Sequence, residues 1–204
     1  MKENRGNIQA DQELVGKVLD GDTNAFVTVI QNTEGLVTQI VFKMISNTED
    51  RKDIAQDIYL KAYKSLAGFR HQSKLSTWIA QIAYNTCLSY LEKKKLVLLD
   101  MSVGNNNEND NEPEFADRKL IDNLFSQTEN NIFQRELNEI MKTEIELLSP
   151  LHKTLITLYH NEELSYEEIS RITKLPEGTV KSYLFRARKS LRDNLLRKYK
   201  KEDL

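Results

Sequence analysis

Between Leu164 and Arg192 the chain reads LSYEEISRITKLPEGTVKSYLFRARKSLR, and few folds accommodate that string. Ser165 stands three residues before Glu168, the spacing of a capping box, so a helix is expected to begin there. Ile169 and Ile172 give that helix an apolar face. Pro176 suits the first turn of a second helix, where a fixed φ helps and a missing N–H is no loss. At about 100° per residue the second helix carries Val180, Leu184, Ala187 and Leu191 on one side. Lys181, Ser182, Phe185, Arg186 and Lys189 fall on the other. A phenylalanine ringed by Lys, Arg and Ser on a solvated face calls for a partner. The DNA major groove fits: Arg and Lys pair with guanine O6 and N7, Ser adapts, and Phe meets a thymine methyl. The alternative is a basic, solvated helix with one stray aromatic. The capped helix before it and the tight connection between the two favour a helix-turn-helix.

Charge is divided along the chain in a way that its net value of −2 conceals. From Arg171 to Lys201 only Glu177 and Asp193 oppose a long series of lysines and arginines. From Asp100 to Asp117, DMSVGNNNENDNEPEFAD, there is no basic residue at all. A basic end facing nucleic acid and an acidic tether are what this separation suggests. The scarcity of Gly (7) and Pro (3) among 204 residues favours helix throughout. Cys87 is the only cysteine, which excludes an intrachain disulfide. No apolar run reaches the length of a membrane span and the N-terminus is polar, so a cytoplasmic chain without membrane insertion is expected.

Met1 to Ala10 reads as loose. Asp11 is placed to cap a first helix with Leu14, Val18 and Leu19, ending near Gly21. Asp22 or Thr23 starts a second with Phe26, Val29 and Ile30 inward. Leu36, Ile40, Val41 and Met44 form a third. Glu49 to Leu66 is a long helix with Ile54, Ala55, Ile58, Tyr59, Ala62 and Leu66 buried. Its opposite side carries Asp53, Gln56, Asp57, Leu60 and Lys64. Leu60 there is either a singly exposed leucine, which is ordinary, or an anchor for a protein partner. The break AGFRHQSKLS follows, with Arg70, His71, Gln72, Ser73 and Lys74. Ser76 is placed to cap the next helix, TWIAQIAYNTCLSYLEKKK. Trp78 and Ile82 read as core, and Gln81, Tyr84, Asn85 and Leu88 as candidates for contacts. Asp100 to Asp117 has the composition of an extended tether. Helical periodicity returns near Asn131, and Ser149-Pro150 starts a further helix.

The fold class expected is all-α: two small helical domains (1–95 and 131–204) joined by an acidic flexible linker (96–130), the second with the helix-turn-helix. Catalysis is not expected. His71, His152 and His160 share no metal-ligand spacing with one another or with Cys87, and neither a phosphate loop nor an HExxH motif occurs. No cofactor or metal is expected. The paired acids Glu162-Glu163 and Glu167-Glu168 sit at helix starts, where they complement the dipole.

Two segments together resemble the extracytoplasmic-function (ECF) sigma factors of bacterial RNA polymerase. DRKDIAQDIYLKAYKSLAGFRHQSKLSTWIAQIAYNTCLSYLEKKK, from Asp50 to Lys95, is similar to the family's second sigma region. LSPLHKTLITLYHNEELSYEEISRITKLPEGTVKSYLFRARKSLR, from Leu148 to Arg192, is similar to the fourth. The resemblance implies an alternative sigma factor, a promoter-specificity subunit that joins core RNA polymerase and starts transcription. Asp53, Gln56, Asp57 and Leu60 would then dock on the clamp helices of the largest polymerase subunit. Arg70, His71, Gln72, Ser73 and Lys74 would capture a base flipped from the minus-ten element, with Asn85 gripping the non-template strand. Lys181, Ser182, Phe185 and Arg186 would lie nearest the base edges of the minus-thirty-five element. Arg171, Arg188, Lys189 and Arg192 would lie near phosphates and set affinity rather than sequence. The acidic linker would run through the polymerase cleft towards the RNA exit, where negative charge mimics nucleic acid. An anti-sigma factor is the further partner implied. At Tyr84 and Tyr183 the chain departs from family members, which often carry arginine there; the change either weakens backbone grip or moves it to stacking. Two other classes stay open on the residues alone: a free-standing helix-turn-helix regulator, and a protein-interaction adaptor.

Overall fold

A computed structural model describes residues 2–99 and 132–198. Among these residues there are eight α-helices and no strand. The acidic stretch from Asp100 to Asp117 lies outside them. The first helix, α1 (Lys2–Leu19), takes in most of the polar segment Met1 to Ala10, for which a loose conformation is expected. Asp11 lies inside it and does not cap it. Its carboxylate instead accepts the Leu75 N–H at 2.8 Å, sixty-four positions along the chain. The end of α1 is local chemistry: Gly21 adopts φ +96°, and the N–H groups of Gly21 and Asp22 donate to the Val18 and Lys17 carbonyls. That is a Schellman closure, which needs a residue tolerant of positive φ.

Asp22 then caps α2 (Thr23–Met44), accepting from the Asn24 and Ala25 N–H groups. Two helices were expected here, and one is found. Ala25, Val29, Thr33, Val37, Ile40, Val41 and Met44 keep one buried stripe in register across its length, and Gly35 costs too little to interrupt it. Asn47 caps α3 (Thr48–Ser65), which buries Ile54, Ile58 and Ala62. A 3-10 turn (Leu66–Gly68) leads to α4 (Leu75–Leu99). Ser76 sits within the first turn of α4 rather than at its cap, the role that Asp11 fills from α1. The rest is α5 (Ile132–Glu146), α6 (Pro150–His160, capped by Ser149), α7 (Tyr166–Thr173) and α8 (Glu177–Lys198).

In the N-terminal half, α2 and α3 pack against α4 and α1 against α2; in the C-terminal half, α6 and α7 pack against α8. The halves also meet each other, through α4 on α7 and α2 on α6. Their buried side chains form one continuous cluster, from Val15 to Leu195. Cys87 lies inside it, and burial pushes its thiol up to about 12, with Lys61 only partly opposing. It is an inert core residue. No helix among the described residues is long and apolar enough to cross a membrane.

Candidate nucleic-acid interface

The capping box forms as its spacing requires. Ser165 Oγ accepts the Glu168 N–H at 3.2 Å, and Glu168 Oε2 accepts the Ser165 N–H at 3.0 Å. At the other end of α7, Lys174 takes a left-handed backbone, φ +59°. Ser170 Oγ donates to the Leu175 carbonyl at 2.6 Å and tightens the turn. Pro176 precedes α8 by one residue, and its carbonyl accepts the Val180 N–H at 3.0 Å. Eight helical residues, a short turn and a long second helix make the expected helix-turn-helix.

On α8, Val180, Leu184, Ala187 and Leu191 are wholly buried, as projected. Lys181, Ser182 and Lys189 are exposed, and Phe185 and Arg186 half-buried. The cations are backed by rings: Lys181 Nζ lies 5.3 Å from the Tyr166 centroid, and the Arg186 guanidinium 5.8 Å from that of Tyr183. An outward row of cations, a hydroxyl and an aromatic therefore sits on a helix whose other side is pinned in the core.

Arg188 does not join that row. Its side chain is buried (8% exposed), its Nε–H donates to His160 Nε2 at 3.3 Å, and the guanidinium lies 5.0 Å from the Tyr159 centroid. At about 100° per residue it stands only about 40° from Leu184 and about 60° from Leu191. A residue so close to the buried stripe turns inward when a partner waits there, and α6 supplies one. Sequence reasoning missed His160, because nothing local ties position 160 to position 188. Arg171 is exposed, but its Nη1 donates to the Gln72 carbonyl at 2.7 Å and its Nη2 to Glu167 at 2.6 Å.

The second candidate surface is the connection between α3 and α4. Phe69 is buried and packs against Trp78, with ring centroids 5.2 Å apart. The His71 ring packs at a tilt against Phe69, with centroids 4.6 Å apart, and its backbone is left-handed, φ +54°. Its Nδ1 is buried without a protein partner. Positive φ at a histidine is uncommon and tends to mark functional segments. Arg70 and Gln72 are exposed, and Ser73 and Lys74 half-buried. Asn85 is half-buried one turn beyond Gln81, on the same side of α4. Tyr84, read as a contact candidate, is buried at 6% exposure.

The loop also meets the helix-turn-helix, which no periodicity foretold. Lys74 Nζ pairs with Glu168 Oε1 at 2.8 Å, and Gln81 Nε2 donates to the Arg171 carbonyl at 2.7 Å. Burial raises the Glu168 carboxyl, but the bonds from Lys74 and Ser165 outweigh it and hold the group below its ordinary range. A third surface is the outer side of α3. Asp53, Gln56 and Leu60 are exposed and Asp57 partly so, with Leu60 at 51%. Asp57 is paired with Lys61 at 2.7 Å. No group of side chains among the described residues is arranged to hold a metal ion.

A family model described as "Sigma-70 region 2" matches residues 29–97, and one described as "Sigma-70, region 4" matches residues 138–191. The chain is 34% identical over 183 residues to the ECF RNA polymerase sigma-E factor of Escherichia coli, covering 89% of this chain and 92% of that one. It is 30% identical over 183 residues to the RNA polymerase sigma-H factor of Pseudomonas aeruginosa, covering 90% and 92%. Its fold is similar to that of the sigma factor RpoE from Bartonella quintana, solved in complex with the anti-sigma factor NepR: TM-score 0.60, 21% identity, 85% of this chain and 98% of that one. The two regions follow in the same order along one chain, and likeness to full-length relatives extends over nine-tenths of it. The chain belongs to the ECF subfamily of RNA polymerase sigma factors, alternative sigma factors that recognise promoters and initiate transcription.

Proposed function

We propose that the three surfaces divide the work of promoter recognition. The outer side of α3, with Leu60 as apolar anchor among Asp53, Gln56 and Asp57, docks on the clamp helices of core polymerase. Arg70 to Lys74 and Asn85 hold the unpaired minus-ten strand and so favour melting. Lys181, Ser182, Phe185, Arg186 and Lys189 read the minus-thirty-five element in the major groove, while Arg171 reaches a phosphate once it leaves Gln72. Arg188 serves as a positioning residue that keeps α8 on α6 through His160. The chain performs no chemistry of its own, works in the cytoplasm, and is held by an anti-sigma partner, as its fold neighbour is.

The observation that carries this reading is the outward row on α8, mounted on a capped helix-turn-helix within one body with the loop 70–74. Run-off transcription with purified core polymerase, followed by mapping of start sites, tests it. Stoichiometric holoenzyme and discrete start sites are expected. A chain that binds DNA but assembles no holoenzyme would be a free-standing regulator, and one that binds polymerase without promoter specificity would be an adaptor.

A further inference from the structure

We propose that Tyr166 and Tyr183 are positioning residues for minus-thirty-five readout: each steadies one base-reading cation of α8 across the face of its ring, Lys181 on Tyr166 and Arg186 on Tyr183. The inference rests on the assignment of α8 to that element.

Lys181 Nζ lies 5.3 Å from the Tyr166 centroid, and the Arg186 guanidinium 5.8 Å from that of Tyr183. Both fall within the roughly 6 Å over which a ring face attracts a cation. Neither ring stands alone. Tyr166 stacks on Tyr159 of α6, with centroids 5.0 Å apart and planes 16° from parallel. Tyr183 meets His152 of α6, with centroids 5.9 Å apart. Each cation therefore ends a two-ring series whose rear member belongs to the same helix.

That helix is well fixed. His152 and Tyr159 are seven residues apart, about two turns, and so lie on one side of α6. The residues between them, Lys153 to Leu158, are all buried. The His152 N–H donates to the Ser149 cap at 3.4 Å. In front, Tyr166 opens α7 directly after its Ser165 cap, and Tyr183 precedes the wholly buried Leu184. The rings are thus held from the core, while Lys181 stays exposed and Arg186 half-buried.

Such backing matters because Lys and Arg side chains are long and rotate freely. A base edge accepts a donor only at a defined place, and a side chain already held near that place loses less freedom on binding. The ring leaves the donors usable. A guanidinium lying on a ring face still presents the N–H groups of its planar edge, and an ammonium has three. Position 183 makes the point by contrast: an arginine there would repel Arg186 one turn on, whereas the tyrosine attracts it.

Binding-site selection by reconstituted holoenzyme, on duplexes randomised in the minus-thirty-five element, tests this. Lys181→Ala and Arg186→Ala first mark the base position that each cation reads. Tyr166→Leu should then relax preference about two- to fivefold at the Lys181 position only, the range of a cation–π contact at an exposed site. Tyr183→Leu should do the same at the Arg186 position only. Tyr166→Phe and Tyr183→Phe keep the ring and should keep the preference, which simple filling of space by a leucine would not distinguish. Adding Tyr183→Leu to Arg186→Ala should cost nothing further, because the cation it steadies is gone. The salt dependence of binding should not move, since phosphate contacts are untouched. Should a leucine variant lose helix by circular dichroism, fluorinated phenylalanines at the same position keep the ring's shape and draw charge from its face. Preference should then fall with each added fluorine. Preference unmoved in the leucine and fluorinated forms, lost equally at both positions, or lost additively with Arg186→Ala overturns the proposal. If Lys181→Ala and Arg186→Ala themselves leave base preference unmoved, the assignment of α8 fails and the proposal falls with it; intact effects of those two with silent ring variants strike the proposal alone.

Discussion

The recognition face of α8 and the loop 70–74 are built on opposite principles. On α8 the outward row is a by-product of the inward one. Once Val180, Leu184, Ala187 and Leu191 are buried, the helical repeat dictates which residues look away. In the loop no repeat operates. Its shape depends on a left-handed His71, a buried Phe69 and a lysine held by the other half of the molecule. A periodic surface stays intact as long as its core does. A loop surface changes with whatever it touches, which suits it to switching between partners.

The sharpest way to break that contrast is to undercut the stripe. Leu184→Ala removes a wholly buried side chain from α8 and should cost about 2–5 kcal/mol. Thermal denaturation should show the loss, and duplex binding should fall with it. Binding that survives at full strength would mean that the outward row does not depend on the stripe. Next in size, Arg186→Ala should cost about 1–3 kcal/mol of promoter binding and relax preference at one base position. A binding-site selection measures both, and a uniform loss across all sequences would make Arg186 a phosphate contact instead.

Leu60→Ala addresses the third surface. It should weaken holoenzyme assembly by about 1–2 kcal/mol, as expected for truncating an apolar anchor, with little effect on stability since the side chain is half exposed. Titration with core polymerase checks it; unchanged affinity would return Leu60 to the class of ordinary exposed leucines. In the loop, His71→Gly relieves a positive φ but adds freedom to the unfolded chain, so stability should move by no more than about 1 kcal/mol either way. Permanganate footprinting should still show impaired promoter opening, because the imidazole is gone. Normal opening would leave His71 with a backbone role only.

How far the fold was legible follows the same division. Asp22, Ser149 and the Ser165–Glu168 box cap helices through partners within three residues, and the sequence announced each of them. The buried stripes of α3 and α8 were legible because their period is that of the helix. Asp11 was misread because its partner, Leu75, lies across the fold; a carboxylate that caps someone else's helix leaves no local pattern. The inward turn of Arg188, for which the resemblance implies a place near phosphates, is hidden for the same reason, its partner His160 being twenty-eight residues away. The meeting of Lys74 with Glu168, ninety-four residues apart, was beyond any reading that treats the halves as separate domains.

Acid offers the smallest and most selective test of that meeting. Burial pushes the Glu168 carboxyl up, but Lys74 and Ser165 together bring it below its ordinary value of 4.5. Glu146 behaves alike, with burial opposed by Lys43 and Lys153. A carboxyl held low in the folded chain contributes fully above its ordinary value and loses that contribution as pH falls through the lowered one. Energy transfer between dyes on Ser65→Cys and Leu196→Cys, exposed positions on the two halves, should therefore be flat from pH 7 down to about pH 5 and decline below about 4.5, while circular dichroism still reports native helix. Glu168→Gln lacks one of the two titrating carboxyls, so its curve should start lower at neutral pH and decline less. If wild type and variant instead lose transfer in parallel, with helix melting at the same pH, the acid response belongs to global unfolding and the Lys74–Glu168 pair has no separate part in holding the halves together.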